Sequence, residues 1–164
     1  MNSLRPMTSS EYTEWLEQSI PAYAADKVAS GDWAPEDSLD RSRQVYNELL
    51  PQGLETPDNF LFSIIDSNYE TIGMLWFAVI DKLDAKIAFV YDVSVKPERQ
   101  REGHATRAFN DLESEVLKRG LSGIALHVFG HNLGARDLYK KLGYEPEHIS
   151  LFKPLAQKPP PWPS

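Results

Sequence analysis

The sequence predicts an α/β protein with a mixed, mostly antiparallel sheet and helices on both faces. Three observations lead to this prediction. Two stretches of helical period come first, three β-rich stretches joined by short turns follow, and helices and strands then alternate. The strand–helix–strand unit over residues 88–129 requires a right-handed crossover, so we expect its two strands to be parallel.

Two helices open the chain. Thr8 and Glu11 have the spacing of a capping box, which predicts a helix over residues 9–20. Pro21 disturbs this helix, and an irregular continuation over the stretch AYAADKVASGDW stays open. The apolar face of this helix consists of Tyr12, Trp15, Leu16 and Ile20. A second helix is predicted over residues 35–50, because a proline suits its first turn and another proline follows its end.

Three strands follow, over residues 59–66, 71–80 and 86–95, and the short turns between them indicate an antiparallel meander. A helix is then predicted from Gly103 to its stop at Gly120. Its buried face is expected to contain Ala105, Phe109, Leu112 and Val116.

The remaining elements alternate. We predict a strand over residues 123–130, a short helix over residues 133–143 and a last strand over residues 148–155. Residues 1–155 are expected to form a single domain. The proline-rich residues 156–164 are expected to form an extension, and Trp162 within it has no assigned role.

Composition excludes several classes of protein. The formal net charge of −7 argues against a general nucleic-acid binder. The chain has no cysteine, which excludes a disulfide scaffold, a cysteine zinc site and a cysteine acyl-enzyme. The longest apolar run, IGMLWFAVI, is too short to span a membrane, and the N-terminus has no apolar leader, so we expect a cytoplasmic protein without a membrane partner.

The stretch VSVKPERQREGHATRAF, residues 93–109, joins a strand to a helix through a loop with one glycine. The first N–H groups of a helix lack internal partners, and the helix dipole adds about half a positive charge there, so this arrangement is typical of a phosphate site. Gly103 lets the backbone approach a ligand, Ala105 is small, and Arg99 and Arg101 add charge. Neither the Walker A nor the dinucleotide-binding pattern is present.

The loop resembles the acyl-CoA loop of the GCN5-related N-acetyltransferase (GNAT) family. The family pattern, Q/R-x-x-G-x-G/A after a V-x-P turn, is filled by Gln100, Gly103 and Ala105 behind Val95 and Pro97. The stretch LHVFGHNLGARDLYKKLGYE is similar to the family's second block, whose positions are filled by Asn132, Ala135, Tyr139, Gly143 and Tyr144.

This resemblance is close over residues 88–145, especially to small, poorly characterised bacterial members. It implies a GNAT-like sheet with a central, splayed pair of parallel strands and a single N-acetyltransferase domain over residues 1–155. It also implies acetyl-CoA as co-substrate, without a metal, and leaves a homodimer open because many relatives dimerise.

The resemblance implies a binding role for each part of the motif. Backbone N–H groups of the loop would hold the pyrophosphate of CoA; they belong to Arg101, Glu102, Gly103, His104, Ala105 and Thr106. The backbone at Val93 and Val95 would pair with the pantetheine arm, between strands that splay after Val95 and Phe129. Asn132, with Ala135 in the same block, would contact the pantetheine or position the following helix.

Direct acetyl transfer needs a group that protonates the leaving thiolate and a base for the amine. The resemblance places Tyr139 beside the thioester sulfur, which makes its phenol the candidate acid; the alternative is a packed core aromatic. His127 corresponds to a position where some relatives carry a catalytic glutamate, so it is a candidate base or else a structural histidine. Asp92 is the alternative base, or else a carboxylate that binds the acceptor.

Two other histidines receive no catalytic role. His104 and His131 are expected to be loop residues, and the four-residue spacing of His127 and His131 does not suit one metal in a strand-to-loop segment.

The first two helices usually cover the acceptor in this family. Their acidic residues favour a cationic amine or form a solvated surface, and Trp33 is a candidate for lining the acceptor cleft. The acidic set is Asp26, Asp32, Glu36, Asp37 and Asp40.

The function indicated by these observations is an N-acetyltransferase for a small-molecule or peptide amine. Two competing interpretations stay open: a non-catalytic acyl-CoA sensor of the same fold, and an unrelated phosphate-binding α/β domain. A serine hydrolase is disfavoured because G-x-S-x-G is absent.

Overall fold

The structure, a computed structural model, describes residues 2–156. Its strands are β1 (Leu4–Pro6), β2 (Asn59–Ile65), β3 (Thr71–Lys82), β4 (Ala85–Val95) and β5 (Ile124–Leu126). Its helices are α1 (Ser9–Ala29), α2 (Ser38–Leu49), α3 (His104–Lys118) and α4 (Leu133–Lys141). The predicted extension beyond Ala156, with Trp162, lies outside the described residues.

The described chain forms two compact units. The first contains residues 2–12 and 52–127, and the second contains residues 13–51 and 128–156. The first turn of α1 therefore belongs to the first unit and the rest of α1 to the second. None of the described helices is long and apolar enough to cross a membrane.

The first unit is built on one five-stranded sheet in the order β1-β2-β3-β4-β5. The first four strands pair antiparallel, and β4 pairs with β5 in parallel through Ala88–Ile124, Phe89–Ala125 and Val90–Leu126. The predicted meander, crossover and mixed sheet are thus confirmed. Strand β1 was not predicted, because three residues are too few to show a period.

The predicted strand over residues 148–155 is wrong for the described chain. These residues are irregular and exposed, and β5 itself is shorter than the predicted residues 123–130. Within residues 2–156 the parallel pair therefore lies at an edge of the sheet. Ile149 and Leu151 alternate with polar positions, which is typical of a strand. A strand also needs a neighbouring strand for its backbone hydrogen bonds, and the alternation of side chains does not show whether one is present.

Two local features shape β4. Trp76 pairs with Asp92 while Phe77 pairs with Val90, which leaves Tyr91 as the extra residue of a β-bulge. At the other end of the pairing, Gly73 lies opposite Val95, where a Cβ would come within 2.2 Å of the backbone oxygen of Ser94. Only glycine allows this approach.

Helix α3 covers one face of this sheet. Its buried side includes Phe109, Leu112 and Val116, as the helical period predicts, and burying each such side chain stabilises the fold by about 1.5–3 kcal/mol. At its end the guanidinium of Arg119 lies 3.8 Å from the ring centroid of Phe60. Gly120 follows with a φ of 74°, which fits the predicted stop.

In the second unit α1 continues past Pro21 to Ala29 as regular helix, whereas only an irregular continuation was left open beyond residue 20. A proline inside a helix removes an N–H and costs about 3 kcal/mol, so packing has outweighed it. The fully buried Ser42 of α2 donates a hydrogen bond of 2.7 Å to the Ile20 carbonyl oxygen of α1. Trp15 also meets Tyr46 edge-on, with ring centroids 5.8 Å apart.

Glu11 ties the first turn of α1 to the sheet. Its carboxylate accepts two 3.0 Å hydrogen bonds from Arg5, and the backbone N–H of Thr8 donates at 3.0 Å as the capping box predicts. The hydroxyls of Ser63 (2.9 Å) and Thr71 (2.7 Å) also donate to it. Burial would raise the pKa of Glu11, but these donors outweigh it and hold the pKa far below its ordinary value.

Glu11→Gln is expected to lower the free energy of unfolding at pH 7 by about 2 kcal/mol, because an amide replaces an oxygen that Arg5 and two hydroxyls contact. The stabilisation by Glu11 is fully present above its unfolded pKa of about 4.3 and is lost as pH falls toward the lower folded pKa. The deficit of the variant should therefore shrink below about pH 4. Urea titrations from pH 3 to 7 measure it, with Glu14→Gln, an exposed change on the same helix, as the control. A deficit that did not change with pH would contradict this explanation.

Candidate functional site

The loop between β4 and α3 has an unusual backbone. A short 3-10 turn spans Pro97–Arg99, Gln100 is extended, and Arg101 and Gly103 have φ values of 65° and 83°. A non-glycine residue rarely adopts the first of these values. The side-chain amide of Gln100 donates to the carbonyl oxygen of Val95 at 3.0 Å, so this motif residue fastens the loop to the end of β4.

A row of free N–H groups follows. The first hydrogen bond of α3 runs from the N–H of Arg107 to the carbonyl oxygen of Gly103, at 3.1 Å. Within residues 2–156, none of the backbone N–H groups from Arg101 to Thr106 has an acceptor. Together with the helix dipole these groups can bind an anion, and Gly103 leaves room for it.

Arg99 was predicted to add positive charge for a phosphate, but in the structure it is paired with carboxylates of the protein. Its guanidinium contacts Asp66 at 3.0 Å and Glu102 at 3.3 Å. Its positive charge is thus compensated by two carboxylates. Arg101 is exposed and keeps its charge toward solvent.

His104 is not the loop residue that was predicted; it is the first residue of α3 and is 8% exposed. Arg107 donates to its Nδ1 at 2.7 Å and to the Glu102 carbonyl oxygen at 3.2 Å. Nδ1 is therefore the accepting nitrogen, and Nε2–H donates to the Glu102 carboxylate at 2.9 Å. This bond, with help from Arg99, lowers the pKa of Glu102.

The end of β4 has an open edge. Strand β5 stops at Leu126, opposite Val90, so within residues 2–156 no strand pairs with β4 beyond Val90 on that side. This part includes Val93 and Val95, whose backbone was expected to pair with an extended ligand. An extended group of suitable length can add to such an edge as a strand does.

The two candidate bases share one face of the sheet. Residues that pair across an antiparallel ladder point to the same side, so Asp92 lies on the side of Trp76, away from α3. The ring of Trp76 stacks on Tyr91 (4.7 Å), Tyr91 meets Phe89 (5.0 Å), and Phe89 meets His127 (5.2 Å). His127 is exposed and follows the last residue of β5, outside the strand that was predicted to contain it.

The second motif lies in the second unit. Asn132 is the N-cap of α4 and accepts a 3.3 Å hydrogen bond from the N–H of Ala135, which supports the positioning role among its two predicted roles. Tyr139 is half-buried, its ring centroid is 5.6 Å from that of Tyr144, and burial raises its pKa. Trp33 meets Tyr23 edge-on at 5.4 Å.

Three contributors at the loop were missed from the sequence: Asp66, the acceptor role of Glu102 and the side chain of Arg107. A signal existed for Arg107, which follows His104 by one helical turn. No sequence signal pointed to Asp66, which lies 33 residues from Arg99. Within residues 2–156 no group of His, Asp and Glu could hold a metal ion.

Comparisons with known proteins agree with this geometry. Residues 13–144 match the Acetyltransferase (GNAT) family. The chain is 34% identical to the uncharacterized N-acetyltransferase YycN of Bacillus subtilis, over 93% of this chain and 97% of that protein. The crystal structure of YycN superposes with a TM-score of 0.82, covering 94% of this chain and 98% of that chain.

Two further relatives extend the comparison. The uncharacterized N-acetyltransferase YdgE of Bacillus subtilis is 29% identical over 94% of this chain and 98% of that protein. A mycothiol acetyltransferase of Kytococcus sedentarius is 30% identical over 87% of this chain but only 45% of that protein. The match to the family over most of the chain and the identity to YycN over nearly all of it lead to one conclusion: the protein belongs to the GNAT family and is an N-acetyltransferase.

Proposed function

We propose that this protein transfers the acetyl group of acetyl-CoA directly to a primary amine. The observation that carries the proposal is the row of backbone N–H groups from Arg101 to Thr106 that lack acceptors within residues 2–156. The amine nitrogen attacks the thioester carbon, the C–S bond breaks, the sulfur gains a proton and the nitrogen loses one. The chain has no cysteine that could carry the acetyl group in between.

The cofactor roles follow the motif. The N–H groups of the loop hold the pyrophosphate, and the open edge of β4 at Val93 and Val95 pairs with the pantetheine arm. The acceptor is a small molecule or a peptide with a primary amine. The name of the mycothiol acetyltransferase supports a small-molecule acceptor, although this chain spans less than half of that relative. We also propose a cytoplasmic location.

Tyr139 is proposed as the acid. Burial raises the pKa of its phenol above the ordinary value, so the group is protonated at neutral pH and able to supply a proton to a thiolate. The assignment to the sulfur rests on the motif that Asn132 and Tyr139 share with the family.

The proposed base is His127 or Asp92. Both lie on the face of the sheet that carries Phe89 and Tyr91. An imidazole titrates near neutral pH and suits proton removal from an ammonium, whereas a carboxylate there suits holding the acceptor.

Acetyl-CoA and CoA are expected to bind at least about tenfold more tightly than ATP or NAD, because only CoA fills both the N–H row and the edge of β4. Calorimetry measures the affinities, and release of free thiol in a panel of amines measures turnover. Equal binding of ATP would remove the basis of the proposal. Tight CoA binding with no thiol release from any amine would indicate a non-catalytic acyl-CoA sensor instead.

Gly103→Val is expected to weaken CoA binding by more than tenfold, roughly, while the protein stays folded. A branched Cβ is strained at a φ of 83° and would lie 3.2 Å from Arg107 before any phosphate enters. Arg101→Ala, which keeps its N–H and loses only an exposed charge, should cost about two- to threefold. Calorimetry with CoA compares the two variants. A larger loss of affinity for Arg101→Ala than for Gly103→Val would refute the binding of CoA by the backbone N–H groups.

Tyr139→Phe is expected to lower turnover by about 10²–10⁴ and to leave the affinity for CoA nearly unchanged, because the ring stays and only the proton is lost. Tyr69→Phe, a change at an exposed turn residue, is the matched control. Steady-state rates at saturating acetyl-CoA and CoA titrations test this. Undiminished turnover would exclude Tyr139 as the acid.

His127→Gln is expected to remove the acidic limb of the kcat/KM profile, whereas Asp92→Asn should mainly raise the KM of the acceptor. Profiles with two acceptors of different amine pKa separate enzyme from substrate, since a limb that follows the acceptor does not belong to His127. An unchanged profile for His127→Gln would transfer the role to Asp92.

A further inference from the structure

We infer that Asp66, in the turn between β2 and β3, is a positioning residue that holds the β4–α3 loop in its ligand-ready shape through Arg99. The inference rests on the proposed binding of CoA at this loop. Asp66 lies outside the loop motif, in the hairpin formed by β2 and β3. The following observations carry it.

Asp66 is itself firmly fixed. Its side chain is 5% exposed, and its Oδ1 accepts hydrogen bonds from the backbone N–H groups of Asn68 (2.9 Å) and Glu70 (3.0 Å). The N–H of Glu70, together with Arg99, keeps the pKa of Asp66 below its ordinary value, so the group is a carboxylate at neutral pH. The second oxygen, Oδ2, is left to face Arg99.

Arg99 carries the connection into the loop. Its Nη1 donates to Asp66 Oδ2 at 3.0 Å and its Nε to the Glu102 carboxylate at 3.3 Å. Glu102 in turn accepts from His104, the first residue of α3. A continuous series of hydrogen bonds therefore connects the β2–β3 turn to the first residue of α3. The two loop residues in it, Arg99 and Glu102, flank Arg101 in the sequence.

The loop needs such an anchor. Arg101 lies in the left-handed region, which costs about 1–2 kcal/mol for a residue with a Cβ. The neighbouring N–H groups do not stabilise this loop conformation, because they have no hydrogen-bond acceptors within the described residues. A loop without an anchor would leave this conformation, and CoA would then have to restore the order on binding.

Asp66→Asn tests the inference selectively. Asparagine can keep its oxygen toward Asn68 and Glu70, so the turn is retained, but it presents an NH₂ group to Arg99. We expect the dissociation constant of CoA to rise about tenfold, and the KM for acetyl-CoA with it, at unchanged kcat. Asp81→Asn, which breaks the exposed 3.2 Å pair with Lys86 at the far end of β3, is the matched control and should change neither.

Two further variants test whether Asp66 acts on the loop through Arg99. Arg99→Gln should match Asp66→Asn in its effect on CoA binding, and it keeps the Asp66 turn intact if the first variant folds poorly. The double variant should bind CoA no more weakly than the weaker single variant. Additive losses would show that Asp66 does not act through Arg99 and would overturn the inference.

A readout without CoA separates this inference from the proposed function. Trypsin cleavage after Arg101 in the free protein, followed by mass spectrometry, should be about tenfold faster in Asp66→Asn, while cleavage after Lys82, the last residue of β3, keeps its rate. If the wild type binds no CoA but the variant loop is still cut faster, the proposed function fails and the anchor stands. If CoA binds both proteins equally, or cleavage after Arg101 is unchanged, the anchor is refuted.

Discussion

The proposed cofactor site depends on one constraint, the backbone N–H groups where β4 passes into α3, which have no acceptor within residues 2–156. A helix always begins with N–H groups that lack internal partners, and most helices cap them with a side chain. Here the N-cap is Gly103, which has no side chain to offer. The row from Arg101 to Thr106 thus meets no capping side chain in the described part of the chain, and it is here that we propose that CoA binds.

The sheet provides the second half of the site by ending its pairing early. Because β5 stops opposite Val90, no strand within the described residues pairs with the last part of β4 on that side, and this edge leads directly into the N–H row. The bulge at Tyr91 then places both Tyr91 and Asp92 on the face away from α3, whereas strict alternation would have separated them. The proposed phosphate site, the edge of β4 and the face that carries Asp92 thereby meet along a single strand.

The positive side chains around the β4–α3 loop are largely balanced by groups of the protein itself. Arg99 is compensated by Asp66 and Glu102, and the contacts of Arg107 at the loop are to His104 and a carbonyl oxygen. A protein with a net charge of −7 could bind an anion at the proposed site because the attraction would come from oriented N–H groups and the helix dipole.

The sequence by itself determined the elements with a strong local period and the loop motif, because hydrophobic spacing and the Gly103 turn are properties of neighbouring residues. It could not determine contacts between distant segments: the Asp66–Arg99 pair, the burial of His104 or the bulge that turns Asp92. It also predicted a strand at residues 148–155 and a helix disturbed at Pro21, where local pattern and local propensity were the only guides. Strand pairing and packing are decided by which segments meet in space, and only the tertiary structure decides that.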